Sequence, residues 1–135
     1  MKKLFSTKYS DKSFSFALLL LRLSLGGLMI PHGFKKLMTF AAKSPAFSDP
    51  FHIGGPASMS LTIFAEFFCA IFILAGLMTR LACIPLIIAM SVAIFYAHHG
   101  KVFGDGQDAT LFLAGYLALL FTGPGKISID RLIGK

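Results

Sequence analysis

Four apolar runs, each bounded by polar or turn-forming residues, constrain what this chain can fold into. They cover residues 14–30, 59–78, 81–97 and 109–122, and Pro31 and Gly33 are expected to end the first helix. At about 1.5 Å of rise per residue, the first three are roughly 25–30 Å long as helices, which matches the hydrocarbon core of a bilayer. The fourth is shorter, so we expect it to recruit residues 106–108 or to end in a thinned interface. The pattern predicts a chain that crosses a membrane four times.

The composition agrees with a membrane protein. Charged residues make up 14% of the chain and hydrophobic residues 56%, with a mean hydropathy of +0.76, whereas soluble domains carry about 25% charged residues. A net charge of +7 would suggest a nucleic-acid partner in a soluble protein, but here the lysines lie between the apolar runs. We therefore predict an integral membrane protein that is embedded in a lipid bilayer and has no nucleic-acid partner.

The distribution of lysine and arginine predicts the orientation. Eight of these residues lie in the two terminal tails and the connection between the second and third runs, and four lie in the other connections. Because the more basic side of a membrane protein faces the cytoplasm, both termini are predicted to be cytoplasmic. The 135 residues are too few to suggest a second domain. The predicted fold is all-α: a single domain over residues 1–135, forming an antiparallel up-down four-helix transmembrane bundle.

Two charged residues interrupt the apolar runs, Arg22 in the first and Glu66 in the second. A charge near the bilayer centre costs roughly 2.5–3.5 kcal/mol on insertion scales, so such groups usually face a partner or a wet cavity. Arg22 lies about 12 Å below the predicted outer end of the first run, and Glu66 lies about 11 Å below the predicted outer end of the second run, so the two charges are at the same level. Gly26 and Ala70, each one helical turn further along, would permit close packing. We predict an ion pair between Arg22 and Glu66, which either clamps two helices or anchors a ligand.

The remaining polar residues of interest gather at the predicted outer side. His32 follows the first run, His98 and His99 end the third, and Asp108 precedes the fourth. Together with the two intramembrane charges they would line a polar funnel, which gives the predicted ligand-binding set: Arg22, Glu66, His32, His98, His99 and Asp108. A metal site is the sharper alternative. Adjacent histidines project about 100° apart on a helix, which disfavours two ligands to one ion, so we predict no metal.

No catalytic pattern is evident in the sequence. Cys69 and Cys83 lie inside apolar runs at depths that differ by about 10 Å, beyond the reach of a disulfide, so both are interpreted as packing residues. Serine-histidine-aspartate, HExxH, dinucleotide-binding and haem-attachment patterns are missing. Whether the chain is an enzyme is left open.

Three segments in this order, LLLRLSLGGLMIPHGFKKL, FAEFFCAIFILAGLMTRLA and GDGQDATLFLAGYLALLFTGPGKISIDRL, resemble the DoxX family of small prokaryotic membrane proteins. The resemblance extends from Leu20 to Leu132 and implies a multi-pass four-helix bundle in the cytoplasmic (inner) membrane. The family's polar pattern matches this chain at Arg22, His32, Gly33, Lys36, Glu66, Gly76, Thr79, Arg80, Gly123, Gly125, Ser128 and Asp130. Asp108 is a departure, since the family commonly has a glutamate there; Ala70 is another, where many members have glycine.

The family's name comes from a subunit associated with thiosulfate oxidation coupled to quinone, which implies a link to redox chemistry. The resulting hypothesis is a component of a redox or quinone-linked membrane system that binds a small ligand, with quinone as the candidate cofactor, in the outer half of the bundle. A membrane or peripheral redox protein would be its partner, and self-association through GLMIPHG or alanine-rich faces stays open. The alternative hypothesis is a non-enzymatic membrane scaffold or a small-molecule transporter.

Overall fold

The computed structural model describes residues 2–97 and 99–134, and every regular element in those ranges is helical. The longest elements correspond to the four apolar runs. The helices are α1 (Asp11–Met38), α2 (Phe40–Lys43), α3 (Gly55–Ala75), α4 (Thr79–Val92), α5 (Gln107–Thr122) and α6 (Ile129–Gly134). As expected, α5 recruits residues before its apolar run, beginning at Gln107.

Helix α1 is longer than its apolar run. It begins after Ser10, whose hydroxyl accepts a hydrogen bond from the Ser13 amide at 3.1 Å, the usual N-cap arrangement. It then continues through Pro31 to Met38, so the prediction that the first helix ends at Pro31 is wrong. Proline is tolerated inside membrane helices because neighbouring groups satisfy the freed backbone. The extra eight residues beyond Ile30 carry the end of α1 about 12 Å further.

Two of the long helices contain a π-helical segment. In α3 it covers Phe64–Cys69, between α-helical Gly55–Ile63 and Ala70–Ala75. The second is α4, which ends at Val92 and is followed directly by the π-helical segment Ala93–Ala97. Such segments insert an extra residue into a turn and are frequent at functional sites.

Three helices, α1, α3 and α4 with its π-helical extension, are long and apolar enough to cross a membrane, and α5 is a shorter apolar helix. Their outward surfaces carry large exposed apolar side chains, among them Leu20, Leu28, Leu61 and Leu111. Because a soluble protein rarely exposes apolar patches of this extent, these surfaces fit hydrocarbon and not water. The protein is an integral membrane protein.

Glycines bring α1 close to its neighbours. A Cβ on Gly26 would lie 2.8 Å from the carbonyl oxygen of Ala70, and one on Gly33 would lie 2.6 Å from the carbonyl carbon of Glu66. The predicted close approach of α1 and α3 at Gly26 and Ala70 is thus confirmed. This contact fixes Glu66 directly beside the far end of α1, where the polar residues gather.

Candidate ligand-binding chamber

Arg22 is buried, with 2% of its surface exposed, and its partners are backbone carbonyls. Its Nε donates to the Ile73 oxygen at 3.0 Å and its Nη2 to the Leu74 oxygen at 2.9 Å. Nη1 donates to the oxygens of Pro124, at 3.1 Å, and of Ile127. The last carbonyls of a helix lack intrahelical donors, and Arg22 supplies donors to two of them at the end of α3 while holding the segment after α5.

Asp130 completes this clamp from the C-terminal side. Its carboxylate accepts hydrogen bonds from the amides of Met78, at 2.6 Å, and Thr79, at 3.0 Å, and so caps the start of α4. Its own amide donates to the Gly76 oxygen at 2.8 Å. A carboxylate is favoured at a helix N-terminus, where free amides and the helix dipole meet. Arg22 and Asp130 together join the α3–α4 turn to the C-terminal segment.

The predicted ion pair between Arg22 and Glu66 is therefore wrong. Glu66 instead pairs with Lys36, with its Oε1 2.6 Å from the Lys36 Nζ. The depth comparison failed because α1 does not end at Pro31: Lys36 is fourteen residues beyond Arg22 on the same helix, or about 21 Å along its axis. The Glu66 side chain is 8% exposed and that of Lys36 is 29% exposed, so the pair is largely sheltered.

This ion pair borders a cavity of about 270 Å³ between α1, α3, α4 and α5, which we call the chamber. It lies at the end of the molecule opposite to the chain termini. Its polar lining consists of His32, Lys36, Glu66, Asp105 and Asp108, and its apolar lining of Met29, Met90, Ala93, Ala109 and Phe112. Methionine and aromatic walls with a few charged groups at one end are typical of a small-molecule site.

Both π-helical segments reach the chamber. Glu66 lies within Phe64–Cys69, and Ala93, which lines the chamber, opens Ala93–Ala97. Glu66 projects from a turn whose backbone differs from the regular helix on either side. Two such segments on neighbouring helices at one cavity form an independent indication of a functional site.

The structure brings three of the predicted ligand-binding residues together, His32, Glu66 and Asp108, and separates Arg22 from them. His99 is exposed in the turn after the third long helix and does not line the chamber, while His98 lies outside the described residues. Sequence reasoning missed Lys36 and Asp105 as chamber residues. The sequence did contain a signal for Lys36, because Lys36 follows His32 and Gly33 in the set of residues that match the family.

Metal and disulfide chemistry have no support within residues 2–97 and 99–134. That part of the chain holds no group of three histidine, cysteine or acidic side chains suited to a metal ion. Cys69 and Cys83 are both buried and free. The chamber can therefore offer hydrogen bonds, charge and apolar contact from its own side chains.

Comparison with known proteins bears on the helices that carry the ion pair. The model of the DoxX family matches residues 17–99, which is more than half of the chain and includes both Lys36 and Glu66. The chain belongs to the DoxX family. The matched part of this DoxX protein ends before Asp105 and Asp108, so those chamber residues lie outside the family match.

Two relatives share most of the length of this DoxX protein. "Uncharacterized membrane protein Rv3486" of Mycobacterium tuberculosis is 30% identical over 136 residues, covering 85% of this chain and 80% of its own. "Inner membrane protein YphA" of Escherichia coli is 31% identical over 126 residues, covering 84% of this chain and 88% of its own. No solved structure matches the chain significantly.

Proposed function

We propose that this DoxX protein binds a small ligand with hydrogen-bond-accepting oxygens, of the quinone type, in the chamber, and acts as a component of a redox or quinone-linked membrane system. The observation that carries the proposal is the Lys36–Glu66 ion pair opening onto a cavity walled by methionine and phenylalanine. A redox partner protein in or on the membrane would exchange electrons with the bound ligand.

Lys36 is the group that would meet the ligand. Its ammonium carries three N–H donors and no acceptor, and Glu66 takes one of them. The other two remain for a carbonyl oxygen in the chamber, and a charge-assisted hydrogen bond there is stronger than a neutral one. Glu66 holds the ammonium in place and is the nearest carboxylate that could accept or return a proton.

The apolar walls suit the flat face of a ring. Met29 and Met90 are soft, adaptable side chains, and Phe112 offers an aromatic face that also stacks on Tyr116, with ring centroids 6.1 Å apart. A cavity of about 270 Å³ is slightly smaller than typical ligand pockets, which run from roughly 300 to 1,000 Å³. It therefore fits a single substituted ring and not a dinucleotide.

The proposal includes an orientation. We infer a four-helix transmembrane bundle, with α5 as the fourth span, in the inner membrane of a prokaryote, with both termini in the cytoplasm. Lys2, Lys3, Lys8 and Lys12 near one terminus and Lys126 and Arg131 near the other support this through the positive-inside rule. The chamber then opens in the outer half of the membrane, as expected for a site that exchanges with the outer leaflet.

The test is a ligand-induced shift in unfolding temperature of the purified protein in lipid nanodiscs. A thiol-reactive dye reports unfolding directly, because Cys69 and Cys83 are buried in the folded protein. A ligand that binds only the folded state stabilises it by RT ln(1 + [L]/Kd), so the unfolding midpoint rises with ligand concentration and affinity. The probe is a fully substituted dimethoxy-dimethyl-benzoquinone, which does not add to thiols.

We expect the quinone to stabilise the wild-type protein and the control variant Lys35→Gln, but not Lys36→Gln. Lys35 precedes Lys36 on the same helix, is exposed, and does not line the chamber. An equal shift in all three proteins, or no shift in any, would overturn the proposal. A loss of stability in Lys36→Gln without any quinone effect in the wild type would leave the ion pair as a helix clamp only.

A further inference from the structure

We infer that the ligand is an amphiphile, whose head occupies the chamber and whose apolar tail leaves sideways between α1 and α5 into the bilayer. This inference rests on the proposed function and deepens it, since it names the class of ligand and its route. It concerns a second cavity, which we call the side groove.

The side groove is a cavity of about 400 Å³ whose lining residues all come from α1 and α5. It shares His32, Asp108 and Phe112 with the chamber. The three shared residues form the junction at which the two cavities adjoin, and the inferred passage runs through this junction. Beyond the junction the groove is lined by Ser24, Leu25, Leu28 and Leu111.

The groove is closed towards the chain termini by tight packing of the two helices. A Cβ on Gly115 would lie 2.5 Å from the Leu25 Cδ2, and the Tyr116 hydroxyl donates to the Leu25 carbonyl oxygen at 3.1 Å. The groove lies beyond this contact, with its floor at Leu25 and its open side along the exposed Leu28 and Leu111.

The open side faces hydrocarbon. Leu28 is 64% exposed and Leu111 is 67% exposed, and both lie within spans that contain no charged residue between Arg22 and Lys35 on α1 or after Asp108 on α5. Such a rim offers nothing to a water-soluble molecule. It offers an unobstructed path to a chain that is already dissolved in the bilayer.

Polarity rises along the passage from rim to chamber. The leucine rim comes first, then His32 and Asp108 at the junction, where the His32 ring meets the edge of Phe112 at a centroid distance of 6.2 Å. The Lys36–Glu66 pair lies beyond it. A molecule with an oxygen-bearing head and an apolar tail matches this order, whereas a wholly polar ligand would leave the groove unused.

The tail would gain little from apolar contact in the groove itself, because lipid is as apolar as leucine. Its value is that it concentrates the ligand in the membrane and aligns the head with the junction. A lipid and a tailed quinone share this chemistry, and we assign the site to the tailed quinone because a single ring fits the chamber. The experiment below separates the two.

The test compares two quinones with the same ring, one bearing a decyl chain and one a methyl group at the last position, by thermal shift in nanodiscs of fixed lipid content. Ser24→Phe places a bulky ring in the groove at an exposed position. Gly27→Leu is the control for bulk, since a Cβ on Gly27 meets nothing within 4 Å and the residue does not line the groove.

We expect Ser24→Phe to weaken binding of the decyl quinone by about tenfold, which corresponds to about 1.4 kcal/mol, and to leave the methyl quinone unchanged. The control variant Gly27→Leu should bind both quinones as the wild type does. Retained binding of the methyl quinone shows that Ser24→Phe is folded.

Three outcomes would overturn the inference. The first is that Ser24→Phe binds both quinones as well as the wild type, and the second is that it loses both equally; in either case the proposed function stands, because the chamber still binds quinone in the wild type. The third is that a short-chain phosphatidylglycerol gives the groove-dependent shift while the quinones give none, which would assign the site to a lipid and would overturn the proposed function as well.

Discussion

Lys36 and Glu66, which are thirty residues apart in sequence, form an ion pair of 2.6 Å at the wall of the chamber. Gly33, less than one turn before Lys36, lets the two helix backbones approach closely enough for this contact. The pair thus joins α1 to α3 where Gly33 lets the two helices pack closely, and it also borders the chamber. Replacing either residue should therefore affect both the stability of the protein and ligand binding.

Removing one partner of the pair should destabilise the protein. In Glu66→Gln the sheltered Lys36 ammonium loses its counter-charge. Breaking a fully buried pair lowers the free energy of unfolding by roughly 3–5 kcal/mol. We expect a loss of about 1–3 kcal/mol here, because Lys36 is partly exposed. The double variant Lys36→Met/Glu66→Leu should recover much of the loss, since apolar groups of similar size need no partner. Thermal unfolding followed by the thiol-reactive dye measures the stability of both variants. A double variant that is less stable than Glu66→Gln would contradict this explanation.

Arg22 should tolerate no replacement, including lysine. Arg22→Lys keeps the charge, but an ammonium cannot reach four carbonyls arranged around a planar guanidinium. We expect a loss of about 3 kcal/mol or more, as for a broken buried network, seen as a low folded yield in detergent. Arg80→Lys is the matched control, because Arg80 makes one long hydrogen bond to the Phe121 oxygen at 3.5 Å, and its yield should stay near that of the wild type.

Asp130→Ala should loosen the C-terminal segment. It removes the acceptor for the amides of Met78 and Thr79, and loss of such a cap typically costs about 0.5–2 kcal/mol. Limited proteolysis should then cut after α5 faster than in the wild type. Asp11→Ala removes an exposed contact with Lys126 at 3.4 Å and the acidic residue in the first turn of α1, but none of the bonds of the clamp. It should therefore leave the cleavage rate unchanged, and equal acceleration in both variants would show that the clamp does not hold the segment.

Two glycines of α1 should respond in opposite ways to alanine. Gly33→Ala would place a Cβ 2.6 Å from the Glu66 backbone, so α1 must shift and the Lys36 contact with it, whereas Gly27→Ala meets nothing within 4 Å. We expect Gly33→Ala to lower both the unfolding temperature and quinone affinity. Gly27→Ala should be neutral or stabilising, by up to about 1 kcal/mol from helix propensity. If Gly33→Ala matched the wild type in both respects, the close backbone contact would not be needed for the site.

The four long helices could be predicted because apolar runs of sufficient length have few alternatives in a membrane. The gathering of His32, Glu66 and Asp108 also followed, since residues near equivalent ends of antiparallel helices lie at one level. The partner of Glu66 did not follow, because proline usually ends a helix in water and Pro31 does not end α1. The position of a residue along its helix decides which charges can meet. Because the end of the first helix was predicted too early, Arg22 was predicted as the partner of Glu66 in place of Lys36.

Other features depend on tertiary contacts that a pattern of residues does not reveal. Arg22 bonds carbonyls of Pro124 and Ile127, in a segment more than a hundred residues away whose path follows no periodicity. The π-helical turn around Glu66 has no distinct residue signature, and Asp105 reaches the chamber from an irregular loop. These features set the shape of the chamber, which is why sequence reasoning located the region of the site and misassigned its central contact.

Native mass spectrometry of the protein released from membranes of quinone-containing cells measures whether the chamber holds a quinone-type ligand at Lys36. We expect a bound mass equal to that of a quinone on the wild type and on Lys35→Gln, and its loss on Lys36→Gln. A wild-type protein that carries no such mass, or a Lys36→Gln protein that carries it equally, would show that Lys36 does not bind a quinone in the chamber.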